Sequence, residues 1–389
     1  MKFMASCTAG LESPLAYEIK DLGLDVIDAS DGKVLFEGSE DVLIRASLWL
    51  RTAERIFIIL DEFQATTSDE LFDRLYAFNW QSLLPRNANV TLARVKTKKS
   101  LLNSPRVTQS VAQKAIFKKL CESYSLSRLP LSGALYPLHL YIRKNNITVA
   151  LETSGEGLHK RGYRILSGKA PLRETIAAGL LMLARWNEKI DLIDPFCGSG
   201  TIPIEAAMMA RNQAPNLHRS FLFEEWDLLS KETILNERRK ARKALKVSHV
   251  KIIGYDSDWK MIEYAIENAK KAGVLNDCTF EKMPMEQVKA DEKYGYVLTN
   301  PPYGERLKDS EAAFNLYQQM KHLKKDLPEW SYFIFTSHEG VEKAFDMKAS
   351  KKKWISNSGL KTWLYFFWGP KPPKGDDTDV DTSGDHERE

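Results

Sequence analysis

The chain has 389 residues, of which 43% are hydrophobic, 10% aromatic and 28% charged, and its formal net charge is +4. This composition argues against wholesale disorder and predicts two or three domains with apolar cores. No apolar run reaches the roughly 18 residues of a membrane span, and the first ten residues do not resemble a signal peptide. We therefore expect a cytoplasmic protein with no membrane partner.

The placement of charged residues and cysteines further narrows the possible classes of protein. The last 19 residues, 371–389, carry a net charge of −4 and almost no apolar side chains, so we expect a disordered acidic tail. The remaining body is then at +8, which permits a nucleic-acid partner. The four cysteines lie far apart with no histidine nearby, so we expect neither a disulfide framework nor a metal site.

Residues 1 to about 160 alternate short strands and helices in an α+β pattern. The predicted strands are Phe3–Cys7, Lys33–Glu37, Arg55–Phe63 and Val90–Val95, with a hairpin of His139–Ile142 and Thr148–Leu151 around Asn145 and Asn146. The predicted helices are Leu11–Leu22, Asp41–Leu50, Glu70–Phe78 and Thr108–Leu120.

From about residue 165 the pattern becomes a regular α/β alternation, which predicts a mostly parallel sheet with helices on both faces. The predicted strands are Ile190–Ile193, Val250–Tyr255, Thr279–Lys282, Tyr296–Thr299 and Ser331–Thr336, followed by an antiparallel hairpin of Trp354–Ser356 and Thr362–Trp368. The predicted helices are Ile202–Arg211, Lys260–Ala272 and Phe314–Leu323, and residues 212–248 form an inserted excursion.

The first strand–helix turn of this α/β part is a candidate cofactor loop, residues 194–201. Its two glycines, Gly198 and Gly200, allow a tight turn and a close approach of a ligand to the backbone. Pro203 disfavours a dinucleotide, and no P-loop lysine follows. The carboxylate of Asp194 would repel phosphate and suit a cationic ligand such as S-adenosylmethionine. The predicted loop contacts are Asp194, Phe196, Cys197, Gly198, Gly200 and Thr201.

The second and third strands supply the rest of the predicted cofactor site. Asp256 ends the second strand, where an acidic residue usually accepts from a ribose diol, and Ser257 follows it. The third strand is followed by Met283 without a nearby aspartate, so Met283 is the candidate apolar contact for an adenine.

The fourth strand ends in a candidate catalytic tetrad, Asn300, Pro301, Pro302 and Tyr303. The prolines cannot continue the strand and fix the backbone at the carboxyl edge of the sheet. There the Asn300 side-chain oxygen and the Pro301 carbonyl can hold the two N–H groups of a base amine, and Tyr303 can stack on the base. Positioning and electrostatics would then carry most of the catalysis.

These motifs together resemble the THUMP-containing class I RNA methyltransferases, and most closely the bacterial 23S rRNA guanine-N2-methyltransferases. Residues 8–12, 158–164 and 170–175 are also similar to this family. The resemblance implies a Rossmann-like methyltransferase domain over 165–370, a ferredoxin-like lobe over 1–65 and a THUMP RNA-binding domain over 66–160. It also implies S-adenosylmethionine as cofactor and structured RNA, rRNA or tRNA, as partner.

Arg94–Lys119 holds eight basic residues and no acidic one, which is typical of phosphate binding. The predicted RNA contacts are Lys96, Lys98, Lys99, Arg106, Lys114 and Lys118, with Lys160, Arg161 and Arg164 from the segment that joins the two parts.

Four hypotheses about the function stay open. The leading hypothesis is methylation of guanine N2 in structured RNA, most simply 23S rRNA. The alternatives are tRNA guanine N2 or adenine N6 of a nucleic acid, and an RNA-binding assembly factor without catalysis. The sequence does not indicate an oligomeric state.

Overall fold

The computed structural model describes residues 1–168, 171–302, 310–357 and 359–371. In these ranges the chain builds two seven-stranded sheets. Tyr303, Ser358 and the acidic tail after Lys371 lie outside the described residues.

The first sheet has the strand order β2-β3-β1-β4-β7-β6-β5, in which only β5 and β6 pair in parallel. Its strands are β1 (Lys2–Cys7), β2 (Val26–Ser30), β3 (Lys33–Glu37), β4 (Ala53–Gln64), β5 (Asn89–Lys98), β6 (Leu135–Arg143) and β7 (Asn146–Glu152). Its helices are α1 (Glu12–Asp21), α2 (Glu40–Trp49), α3 (Ser68–Ala77) and α4 (Pro105–Ser123). The predicted elements are present here. Strand β2, which we did not predict, is mostly exposed and gives little apolar signal.

The predicted ranges 1–65 and 66–160 share this sheet and one hydrophobic core. Strand β4 of the first range pairs with β7 of the second over Phe57–Gln64. Phe36 and Ile56 lie in the same buried cluster as Leu71 and Ile116. The division between the two ranges therefore runs through one continuous sheet.

The second sheet has the order β10-β9-β8-β11-β12-β14-β13, in which the first four strand pairs are parallel and the last two are antiparallel. Its strands are β8 (Leu192–Asp194), β9 (Ile252–Asp256), β10 (Thr279–Lys282), β11 (Tyr296–Thr299), β12 (Ser331–Thr336), β13 (Lys351–Asn357) and β14 (Leu360–Phe367). Its helices are α5 (Glu174–Leu183), α6 (Thr201–Ala210), α8 (Trp259–Ala272), α9 (Ser310–Gln319), α10 (Lys321–Asp326) and α11 (Val341–Ala344), and the insertion between α6 and β9 contains α7 (Lys231–Lys243). The predicted α/β sheet with a terminal antiparallel hairpin is confirmed.

The insertion at 212–248 packs on the first sheet, although it lies between β8 and β9 in the chain. Trp226 stacks on Tyr136 with 4.8 Å between ring centroids, and its indole N–H donates to the Leu135 carbonyl at 3.0 Å. Ile234 and Ala241 of α7 join the core of the first sheet. This excursion therefore ties the two sheets together.

Candidate active site

The cofactor loop connects the buried strand β8 to helix α6 and is held against β9. The amide of Cys197 donates to the carbonyl of Tyr255 at 2.9 Å, and the amide of Gly198 donates to the Asp256 carboxylate at 3.0 Å. Cys197 is buried, and burial raises the pKa of its thiol well above the ordinary value, so the thiol stays neutral. The loop is thus fixed by the two strands that flank it.

The two glycines of the loop serve different purposes. Both have positive φ, +54° at Gly198 and +83° at Gly200. A Cβ on Gly200 would lie 2.9 Å from Ala265 Cβ and 3.0 Å from the Phe280 ring, so Gly200 allows α6 to pack closely. Among the described residues, a Cβ on Gly198 would meet nothing within 4 Å, which leaves open space above the loop for a ligand.

Asp194 is a buried carboxylate at the end of β8. It accepts hydrogen bonds from the Thr299 hydroxyl at 2.6 Å and the Phe196 amide at 3.1 Å. Burial raises its pKa to about 7 despite these donors, and the charge of Asp256 adds to the rise. A nearby cation would favour the ionised form. Phe196, which follows on the loop, is half-buried.

Asp256 ends β9 with its carboxylate partly exposed. It accepts from the amides of Gly198 at 3.0 Å and Asp258 at 2.9 Å, and burial raises its pKa. Ser257 beside it is exposed, and the amide of Met283 donates to the Asp256 carbonyl at 3.1 Å. The predicted ribose and adenine contacts therefore lie next to each other at the carboxyl edge of the sheet.

Asn300 follows β11 directly, one residue after the Thr299 that binds Asp194. Its side-chain oxygen is buried and has no hydrogen-bond partner in the described part of the chain. An unpaired buried acceptor costs about 1–3 kcal/mol, so a ligand donor that bonds to it would recover free energy. Pro301 is buried and Pro302 half-buried, while Tyr303 lies outside the described residues.

We predicted Arg164 as an RNA contact, but its half-buried side chain is bound by protein groups instead. Its guanidinium binds Glu174 at 2.8 Å, the Leu172 carbonyl at 2.7 Å and the Thr201 hydroxyl at 3.1 Å. These bonds join α5 to the start of α6, so Arg164 positions the cofactor loop. Thr201 is correspondingly buried and is engaged by protein groups.

The RNA contact predicted for Arg161 is wrong as well, because this residue is only 4% exposed. Its guanidinium lies 3.5 Å from Glu205 of α6 and binds the carbonyls of Leu158 and Arg51. The sequence shows the positive charge of this segment, but it does not show that Glu205 is the buried partner of Arg161. Lys160, its neighbour, is exposed and pairs with Glu156 at 2.7 Å.

The basic segment lies on the outer edge of the first sheet. Arg94, Lys96 and Lys98 are exposed, and their even spacing places them on one face of the edge strand β5. The other predicted contacts, Lys99, Arg106, Lys114 and Lys118, are exposed on the loop after β5 and on α4.

Sequence reasoning also missed residues that shape the site. Thr299 and Glu174 were within predicted segments, but only the fold brings them to Asp194 and Arg164. Asn268 of α8 is fully buried and binds the Ser199 carbonyl at 3.1 Å and the Ile165 amide at 3.0 Å. In the described ranges no group of three or more His, Cys, Asp or Glu could hold a metal ion, and no helix is long and apolar enough to cross a membrane.

The residues present fit S-adenosylmethionine. Asp194 suits a cationic group, Asp256 suits the ribose hydroxyls, and the open space at Gly198 leaves room for the ligand. This strand order, with a glycine turn after the central strand and acidic residues after two strands, defines a class I S-adenosylmethionine-dependent methyltransferase.

Comparison with known sequences agrees with this class. The family described as "RMKL-like, methyltransferase domain" matches residues 161–365, and the "RlmL ferredoxin-like domain" matches residues 2–57. The chain belongs to the RMKL-like methyltransferase family. It is 37% identical to YpsC of Bacillus subtilis, named as a candidate RNA methyltransferase, over 95% of this chain and 97% of that protein. It is 32% identical to ribosomal RNA large subunit methyltransferase K/L of Shewanella woodyi over 99% of this chain, but spans only 55% of that protein.

Solved structures show the same architecture. A possible methylase from Clostridium difficile superposes with a TM-score of 0.92 at 39% identity, covering 96% of this chain and 99% of that one. A methylase from Listeria monocytogenes, predicted to act on adenine N6 of DNA, has a TM-score of 0.88 at 40% identity and coverages of 95% and 96%. SMU.472, a candidate methyltransferase in complex with SAH, has a TM-score of 0.88 at 35% identity and coverages of 96% and 99%. The predicted cofactor is thus confirmed as S-adenosylmethionine.

Proposed function

We propose that this protein methylates the exocyclic N2 amine of a guanine in structured RNA, most simply 23S rRNA. One observation carries the proposal. The unpaired acceptor of Asn300 lies one residue after Thr299, whose hydroxyl binds the cofactor-loop carboxylate of Asp194. A single turn therefore couples the cofactor loop to a group suited to hold an amine.

S-adenosylmethionine supplies an electrophilic methyl group on a sulfonium leaving group. The Asn300 oxygen and the Pro301 carbonyl would accept the two N–H groups of the amine, which directs its lone pair toward the methyl carbon. Attack by the amine would break the carbon–sulfur bond and leave a neutral thioether, and the proton that the methylated amine loses would pass to solvent. No strong general base is required, so these two acceptors provide catalysis by positioning.

Two observations support RNA as the substrate. The relatives named above include a ribosomal RNA methyltransferase and a candidate RNA methyltransferase. The exposed basic side chains of β5 and α4 offer a surface that suits phosphates. We propose that the region over 66–160 is an RNA-binding domain of the THUMP type, and that Tyr303 stacks on the target base. A target within a duplex would have to be flipped out, at a cost of a few kcal/mol.

Adenine N6 is a second candidate, because an Asn-Pro-Pro turn can hold either amine and a structure similar to this chain is described as a predicted N6-adenine DNA methylase. A tRNA guanine is a third. Nucleoside mass spectrometry of rRNA, tRNA and DNA from cells with and without the gene separates them. Loss of N2-methylguanosine from 23S rRNA is expected, and loss of N6-methyladenine alone would exclude the guanine assignment.

Restoring the gene with an Asn300→Ala substitution tests the chemistry. We expect the modification to stay absent while RNA affinity changes less than a few-fold, since the variant removes only the amine acceptor. Restoration of the modification by this variant would contradict the catalytic role, and an absence of any modification difference between the wild type and the deletion would favour a non-catalytic RNA-binding factor.

A further inference from the structure

The β13–β14 hairpin places two tryptophans at the active-site edge of the second sheet. Strand β14 runs antiparallel to β12, and Thr336 at the carboxyl end of β12 pairs with Trp363. Trp363 in turn pairs with Trp354 of β13. Both tryptophans therefore lie at the edge of the sheet where Asn300 follows β11.

The tryptophans are close to the predicted target site. Strand β12 lies between β11 and β14, so Trp363 is two strand spacings, about 10 Å, from the end of β11. Trp363 packs against the same hydrophobic cluster as Phe196 and Met283. The hairpin thus shares a side of the sheet with these two predicted cofactor contacts.

One face of the hairpin combines these rings with lysines. Lys352 and Trp354 share this face of β13 because alternate residues on a strand point the same way, and they pair with Tyr365 and Trp363 of β14. Lys361 lies on the same face of β14, two residues before Trp363 and diagonal to Trp354. Trp354 is 37% exposed, Lys361 is exposed and Trp363 is half-buried. The Lys361 ammonium lies 5.1 Å from the Trp363 ring centroid. We name Lys352, Trp354, Lys361 and Trp363 the hairpin platform.

Protection of a sheet edge does not account for this composition. Lysines on an edge strand discourage pairing with other chains. Here β13 is covered at residues 354–356, because the Ser356 amide donates to the Ala9 carbonyl at 3.0 Å and Gly10 leaves no room beside the Trp354 carbonyl. Lys361 lies on β14, which is paired on both sides and is not an edge strand. Exposed indoles next to lysines are instead typical of surfaces that stack bases and bind phosphates of a single strand.

We propose that the hairpin platform binds the nucleotides next to the target base in a single-stranded segment of the RNA. Trp354 stacks on a flanking base, and Lys361 leaves the Trp363 ring to bind a phosphate. Lys352 contributes less because Glu342 pairs with it. This inference rests on the proposed function, since it assigns the same substrate to a second surface.

Binding of a fluorescently labelled single-stranded RNA to the full-length protein tests the platform without catalysis. Trp354→Ala should raise the dissociation constant about tenfold, because loss of one stacked base costs about 1–3 kcal/mol and 1.4 kcal/mol is tenfold. Trp354→Tyr keeps a flat ring and should restore most of the affinity. Lys361→Glu, an exposed position, should also weaken binding and provides a test if the tryptophan variant does not fold.

Trp368→Ala is the matched control. Trp368 is 40% exposed and follows β14 at the opposite edge of the sheet, since Phe367 pairs with Tyr332 near the start of β12. We expect unchanged RNA affinity for this variant. Methyl transfer to RNA from the deletion strain should show a raised KM for RNA in Trp354→Ala with an unchanged KM for S-adenosylmethionine.

The outcomes separate the two proposals. Equal RNA affinity of Trp354→Ala, Lys361→Glu and the wild type would overturn the platform even if the wild type methylates RNA. Platform-dependent binding by a wild type that transfers no methyl group to RNA would support the platform and overturn the proposed function. An absence of RNA binding by the wild type would overturn both.

Discussion

At the residue scale, two oxygen acceptors in different states lie close together in the candidate active site. The Oδ1 atom of Asp194 accepts from Thr299 and Phe196, whereas the Asn300 oxygen is buried without a partner in the described ranges. The first can meet a cationic group of the cofactor, and the second a donor of the substrate. Thr299 links the two, because its hydroxyl binds Asp194 and its backbone continues into Asn300.

The raised pKa of Asp194 predicts a pH-dependent affinity for S-adenosylmethionine. Its pKa in the folded protein is about 7, so at lower pH a proton must leave before the carboxylate can pair with a cationic ligand. We expect the affinity to fall by up to about tenfold per pH unit below 7 and to level off above it. Calorimetric titration between pH 5.5 and 8 measures this change.

Asp194→Asn is the control for this prediction, because it keeps the shape of the side chain and removes its titration. This variant should bind more weakly at pH 8 and show a flatter profile below pH 7. The same steep profile in the variant would mean that another group titrates. Folding stability should change in the opposite direction to ligand affinity. The pKa of Asp194 is higher in the folded than in the unfolded chain, so the contribution of Asp194 to the free energy of unfolding falls as the pH rises from about 4 to 7.

At the element scale, the cofactor loop forms the candidate cofactor site, and the edge strand β5 is proposed to bind RNA. The loop is rigid because neighbouring strands hold its amides, and it is open on the side of Gly198. Strand β5 has one side unpaired at the sheet edge and presents Arg94, Lys96 and Lys98. Each element therefore makes a separate prediction.

Alanine substitutions should distinguish a glycine that leaves room for the ligand from one that allows close packing of the protein. Gly198→Ala and Gly273→Ala both place an alanine at positive φ, and neither Cβ would meet an atom of the described residues within 4 Å. Both should lose similar stability, about 1 kcal/mol, but only Gly198→Ala should weaken binding of S-adenosylhomocysteine. Gly200→Ala should lose more stability than either because of its contacts with Ala265 and Phe280. Thermal unfolding with and without the ligand measures both effects. If the ligand stabilises Gly198→Ala and Gly273→Ala equally, the assignment of the ligand site to Gly198 is contradicted.

Removing the charges of β5 should weaken RNA binding in a salt-dependent way. The triple alanine variant of Arg94, Lys96 and Lys98 is expected to reduce the slope of log affinity against log salt by about 2 to 3, since each lost phosphate contact accounts for about 0.7–0.9. Alanine at the exposed basic residues Arg239, Arg242 and Lys243 of α7 is the control. Equal slopes for the two triple variants would show that β5 does not contact phosphates.

At the scale of the whole molecule, a buried polar network joins the two sheets. Glu205 of α6 lies 3.5 Å from Arg161 and 3.1 Å from the Tyr163 hydroxyl. Arg51, at the end of α2, donates to the Gln213 carbonyl at 2.8 Å. Burial raises the pKa of Glu205 and lowers that of Arg51, while the attraction between their charges opposes both shifts. The network fixes the first sheet relative to the helix that follows the cofactor loop.

Removing Arg161 should destabilise the whole protein. Arg161→Ala leaves Glu205 buried without its ion pair, which costs about 3–5 kcal/mol. Lys160→Ala, one residue earlier and exposed, should change the free energy of unfolding by less than about 0.5 kcal/mol. Chemical denaturation gives both values, and an Arg161→Ala protein as stable as the Lys160→Ala protein would contradict the role of the network.

Local sequence determined the elements that depend on short-range chemistry. Three of them could be predicted from the sequence because each needs particular residues beside an apolar strand. These are the glycine turn after β8, the acidic end of β9 and the Asn300 turn. Parallel strands bring such ends to one edge, so the predicted loop, ribose and amine sites followed from the alternation of strands and helices. The basic charge of β5 was equally local.

Only the tertiary structure decided which charges are buried and which elements share a core. Arg161 and Arg164 look like surface cations in the sequence, but their partners Glu205 and Glu174 come from distant helices. The insertion at 212–248 packs on the first sheet, and Trp354 reaches the active-site edge because β14 pairs with the distant strand β12. Burial and long-range pairing depend on how faces pack together, and neither charge nor periodicity along the chain specifies that packing.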